Sequence, residues 1–191
     1  LAAWLARVPQ RYHTFHGHVF HGYFGGLKTK LFILIEKILA KMSTRIIAIS
    51  DKQKNELLSY KICPADKIIV IPLGFDLNKL LNESEPGFLK KKFNLGLDKK
   101  LVGIVGRLVP IKQHEYFIEV AAKVLADRTD VKFLIVGDGE LKATLQQKID
   151  DMGLTGRIII TGFINDVAKV YPDLDVVMLT SKNEGTPVTL I

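Results

Sequence analysis

Four short stretches set chemically useful residues immediately after runs of strand-forming ones. "LVGIVG" (101–106) leads into Arg107 and, five residues further on, Lys112. Two cations beside a helix start repel unless an anion lies between them. A guanidinium fork and a movable ammonium suit a diphosphate, although an isolated R-x4-K is also compatible with solvated surface cations. "VKFLIVG" (131–137) leads into Asp-Gly-Glu, where Gly137 and Gly139 permit close backbone approach or a tight turn. This is not the G-x-G-x-x-G dinucleotide fingerprint, since position 142 is lysine, and the Walker lysine pattern is missing too. "RIIITG" (157–162) ends on Gly162 and Phe163, which offer backbone groups and an aromatic edge to a flat base; Phe163 covering the sheet edge is the plainer alternative. "DVVMLTS" (175–181) leads to Glu184, Gly185 and Thr186. That carboxylate can accept from sugar hydroxyls and the two N–H groups can donate to hydroxyl or phosphate oxygens, or the stretch simply starts a helix. Taken together, four such loops in order describe a pocket for a nucleotide-diphosphate sugar.

Four histidines crowd "YHTFHGHVFHGYFGG" (12–26): His13, His16, His18 and His21. Zinc is the tempting ligand. On an extended segment, however, His16 and His18 share one face and His13 and His21 the other. No neighbouring cysteine or spaced carboxylate completes a shell, so no metal is expected.

These loops need a frame. Short β-branched runs fall at 11–17, 45–50, 67–72, 100–108, 131–139, 157–163 and 175–181. Helical spacing fills 113–128, with Phe117, Val120, Ala121, Val124 and Leu125 on one face, and 140–153, with Leu141, Leu145 and Ile149 at successive fours. Continuous apolar strands joined by helices indicate parallel sheets covered on both faces. The fold class is therefore α/β, doubly wound. The polar stretch 73–100 reads as a linker between two Rossmann-like halves, placed at 1–78 and 79–191. Ser50 or Asp51 caps a helix.

A hydrophobic content of 48% and a single cysteine, Cys63, suit a globular protein of a reducing compartment. A net charge of +7 favours anionic partners. "GLKTKLFILIEKILAKMSTR" (26–45) is either a core helix with wet lysines or a surface that docks on an anionic membrane, helped by Lys90–Lys92 and Lys99–Lys100. No recognition motif accompanies the charge, so nucleic acid is not an expected partner. The chain begins and ends inside structured-looking sequence, which reads as truncation at both ends.

"GRLVPIKQHEYFIEVAA", "FLIVGDGEL", "IIITGFINDVAKVYPDLDVVMLTSKNEGTPVTLI" and "IIAISDKQKNELL…IIVIPLGFD" together resemble a retaining nucleotide-sugar glycosyltransferase of family 4. The resemblance implies a GT-B fold of two Rossmann-like domains. It implies that Arg107 and Lys112 hold the donor diphosphate and that Glu184 is the first Glu of an E-x7-E motif, its partner falling one position past Ile191. It also implies that His16 lines the acceptor side of the interdomain cleft. The implied reaction moves a sugar to a hydroxyl of a saccharide or lipid-linked acceptor, with retention and without a cofactor. No metal is expected to be required, with no D-x-D pattern read to hold one and the two cations able to replace it. The family usually carries glycine where Gln113 stands. An epimerase of the same architecture and a non-enzymatic basic membrane module are the alternatives. A location in the cytoplasm, peripheral on the inner face of the membrane, is expected, as is little or no turnover by residues 1–191 alone.

Overall fold

The computed structural model describes residues 1–17, 26–74, 86–184 and 187–190. Cα proximity divides the chain into two units: Leu1–Phe75 with Asn183–Pro187, and Asp76–Lys182 with Val188–Ile191. In the first, a one-turn helix α1 (Ala2–Leu5) precedes β1 (Tyr12–Phe15), α2 (Gly26–Met42), β2 (Arg45–Ala48), α3 (Asp51–Ser59) and β3 (Ile68–Val70). The three strands pair in parallel in the order β1-β2-β3. Phe15, Ile46, Ala48 and Ile68 of this sheet bury together with Ala40, Leu57 and Ile62. Ser50 is the cap of α3, its hydroxyl accepting from the Gln53 N–H at 3.2 Å.

The second unit carries α4 (Phe88–Lys92), β4 (Lys100–Val105), α5 (His114–Asp127), β5 (Val131–Val136), α6 (Lys142–Asp151), β6 (Ile158–Gly162) and β7 (Val176–Val177). Its strands are parallel in the order β6-β5-β4-β7. Alternate residues of β5 feed opposite layers: Phe133 and Ile135 join α5 and α6, while Leu134 and Val136 join Leu89, Leu95 and Val170. Both faces are thus covered, as the apolar runs require. The strand order reverses between β4 and β7, and in open α/β sheets ligands bind beyond the strand ends at such a switch point.

Three expectations need correction. On α5 the buried stripe is His114, Phe117, Ile118, Ala121 and Leu125, with Val120 turned outward at 39% exposure. Ile118 belongs to the 114–121–125 side of the helix, and Val120 lies over its edge. The run 175–181 keeps only two ladder residues, because its last part bonds to the 110–113 loop instead of to a strand. The supposed linker contains α4, whose Leu89 is fully buried. The Asp173 carboxylate supplies the cap that this helix's own sequence lacks, accepting from the N–H groups of Gly87, Leu89 (2.6 Å) and Lys90 (3.4 Å).

Candidate functional site

Within the second unit, the loops after β4, β5 and β6 are stitched to one another at the carboxyl edge of the sheet. Gly106 N–H donates to the Val136 carbonyl, Leu108 N–H to the Asp138 carbonyl, Leu141 N–H to the Leu108 carbonyl and Gly137 N–H to the Gly162 carbonyl, at 2.9–3.1 Å. Glycine is obligatory at two of these crossings. A Cβ on Gly137, at φ +153°, would stand 1.9 Å from the Gly106 oxygen, and one on Gly139 would stand 2.5 Å from the Leu108 oxygen. The close approach expected at these glycines is therefore made to the neighbouring loop.

Arg107 follows directly from Gly106 and is exposed. Lys112 is half-buried, and its Cε lies 3.8 Å from the point that a Cβ on Gly106 would occupy, so its side chain lies over the end of β4. Gly162 (φ +73°) lies near Asp138 and Lys142, which form an ion pair at 2.8 Å. The Lys142 hydrogen bond, aided by the Gly139 N–H, holds the Asp138 carboxyl below its usual range. Phe163 projects next to it with 74% exposure. The structure thus brings Arg107, Lys112, Gly137, Gly139, Gly162 and Phe163 to one sheet edge. Glu184, half-buried, lies in the stretch that groups with the first unit; Gly185 and Thr186 fall outside the described residues.

His16 is exposed in the bend that follows β1. His13 tilts against Phe15 with ring centroids 4.6 Å apart, and its Nε2 lies 4.0 Å from Glu36. His18 and His21 are outside the described residues. Among the described residues, no three His, Cys, Asp or Glu side chains gather as a metal site. The sequence does contain one D-x-D triplet, Asp173–Leu174–Asp175, which corrects the expectation of none. Both carboxylates have structural work: Asp173 caps α4, while Asp175 accepts from Lys100 Nζ and the Leu101 N–H, each at 2.8 Å.

Sequence reading missed the supports of the β4 loop. Gln113 adopts a left-handed conformation (φ 49°, ψ 48°), which costs a non-glycine residue about 1–2 kcal/mol. The Thr180 hydroxyl donates to the Lys112 carbonyl (2.9 Å) and the Gln113 carbonyl (3.0 Å), and the Lys182 N–H donates to the Ile111 carbonyl (2.9 Å). His114 is 1% exposed, and neither ring nitrogen has a hydrogen-bond partner among the described residues. Burial, and after it the charge of Lys112, lowers its pKa to about 4, so the ring is neutral at pH 7. Nothing in "IKQHEY" or "LTSKNE" announces these contacts, because they join positions 67 to 71 residues apart.

Comparisons with known proteins bear on the family and the fold. The family model described as Glycosyltransferase Family 4 matches residues 1–79, and that described as Glycosyl transferases group 1 matches residues 87–191. The chain is 35% identical, over all its length and 50% of the relative's, to the UDP-Gal:alpha-D-GlcNAc-diphosphoundecaprenol alpha-1,3-galactosyltransferase of Escherichia coli. It is 27% identical, over 82% of its length and 41% of the relative's, to the alpha-D-kanosaminyltransferase of Streptomyces kanamyceticus. Among solved structures it resembles Anabaena HepE in complex with UDP and glucose. There the TM-score is 0.81 at 23% identity, covering 98% of this chain and 51% of that one. Staphylococcus aureus TarM follows with a TM-score of 0.72 at 23% identity, over 94% of this chain and 34% of that one. These neighbours share the GT-B fold. The chain spans about half the length of the curated relatives it matches.

Proposed function

The chain belongs to the glycosyl transferases group 1 family, and from that premise we propose that it serves a transferase moving a sugar from a UDP-sugar to a hydroxyl of a saccharide or lipid-linked acceptor, with retention. The observation that carries this reading is the pair Arg107 and Lys112 at the end of β4, beside the switch point of a doubly wound sheet. The uridine base and the lipid-linked acceptor come from the name of the Escherichia coli relative.

In this reading the donor's C1–O bond breaks with its electron pair going to the diphosphate, whose new charge Arg107 and Lys112 neutralise without a metal or other cofactor. The acceptor oxygen bonds to C1 on the same face, and its proton passes to the departing phosphate oxygen. Gly162 and the ring of Phe163 serve the nucleotide end, over loops that Gly137 and Gly139 allow to pack together. Glu184, with the N–H groups of Gly185 and Thr186, serves the transferred sugar, and His16 serves the acceptor; these roles rest on the resemblance.

The test is a thermal-shift series with UDP, GDP and ADP. UDP is expected to raise the melting temperature most, and Arg107→Ala with Lys112→Ala to weaken its binding about a hundredfold, as two charge-assisted hydrogen bonds are lost. A wild-type response from the double variant would refute the reading. Sugar interconversion without an acceptor would mark an epimerase instead.

An anionic membrane surface is a second proposed partner, and α2 supports it. Leu27, Leu31, Leu34, Ile35 and Ile38 are all exposed and recur at helical spacing on one face, with Lys28, Lys30 and Lys41 exposed beside them. No described helix is long and apolar enough to cross a membrane.

A further inference from the structure

We propose that Thr180 is the positioning residue for Lys112, a hydroxyl on the far side of the switch-point crevice that holds the phosphate-side lysine in place. The inference rests on the reading of Lys112 as a diphosphate ligand.

Carbonyls 111, 112 and 113 all accept hydrogen bonds from the segment that follows β7: Ile111 from the Lys182 N–H, and Lys112 and Gln113 from the single Thr180 hydroxyl. A hydroxyl has one proton, which these two carbonyls share. The loop they fix is a turn of 3₁₀ helix over Pro110–Lys112 that passes into the left-handed Gln113. A side chain with a Cβ keeps such a conformation only where its surroundings over-determine it. Position 113 also accepts from the Tyr116 N–H at 3.0 Å. The next residue, His114, is buried, and the Ser181 hydroxyl beside Thr180 is buried as well.

The consequence for chemistry lies in direction. The Lys112 stem leaves its backbone to lie over Gly106, so a rotation of the 112–113 peptide swings the ammonium away from the end of β4. Thr180 itself need not touch a ligand.

Isothermal titration with UDP tests this on wild type, Thr180→Val, Thr180→Ala, Thr180→Ser, Lys112→Ala and the Thr180→Val/Lys112→Ala double variant. Thr180→Val and Thr180→Ala are each expected to weaken UDP about tenfold, the scale of one net hydrogen bond. Thr180→Ser, which keeps the hydroxyl, is expected to bind as wild type. In the Lys112→Ala background, Thr180→Val should cost nothing more, since there is no ammonium left to aim. Fully additive losses, or unchanged affinity in both folded Thr180 variants lacking the hydroxyl, would overturn the positioning role while leaving the function standing. Failure of wild type to bind UDP, GDP or ADP would overturn both.

Discussion

His114 is a buried imidazole at the first position of α5, two residues after the lysine assigned to the diphosphate. Its neutrality at pH 7 leaves Lys112 as the positive charge beside it, and that same burial makes the fold sensitive to acid. An unfolded chain takes up the proton near pH 6.5, the folded chain near 4. Between those values the unfolded state binds more protons. The contribution is complete above pH 6.5 and is lost as pH falls toward 4, reaching about 3 kcal/mol. In urea unfolding at pH 7 and pH 4, His114→Leu should gain on wild type by that amount at the acid end. Parallel losses in both proteins would show that another group carries the effect. Sequence reading singled out His16 and its neighbours and passed over His114, since a lone histidine in a helical pattern carries no mark of its burial.

At the scale of elements, the β4-to-α5 and β5-to-α6 connections illustrate how loops become precise. Gly137 and Gly139 let one loop's backbone reach the other's, and the contacts leave no room for a Cβ. Helix α4 shows the reverse dependence, being five residues long and too short to stand alone. It persists because Leu89 is buried and because Asp173, 84 residues away, accepts from its first N–H groups. Asp173→Ala is expected to cost about 1–3 kcal/mol, the penalty for leaving buried donors unpaired. Amide exchange should accelerate across residues 86–93 and stay slow in β4 and β5. Uniform acceleration over the whole second unit would mean that Asp173 does more than cap one helix. The lysine-rich composition of 73–100 hid this helix, because its apolar residues are few and its cap lies elsewhere in the chain.

For the molecule as a whole, the net charge of +7 and the lysine-flanked apolar face of α2 are what the proposed association with a membrane rests on. Leu31 and Leu34 are each 55% exposed, so replacing both with Glu removes apolar surface without opening a core. Cosedimentation with phosphatidylglycerol vesicles should fall about a hundredfold, near tenfold for each leucine, while neutral phosphatidylcholine vesicles bind neither protein well. Equal binding by the variant would remove α2 from the account. The sequence by itself determined the α/β class, the seven strands and the membership of a glycosyltransferase family. Those follow from local periodicity and from ordered motifs, which a linear chain displays directly. Tertiary structure decided which face of α5 is buried, that Asp173 and Asp175 are structural carboxylates, and that Thr180 reaches the loop of Lys112. Hydrogen bonds between residues 67 to 86 apart leave no periodic trace; they exist only once parallel pairing has brought β4 and β7 side by side.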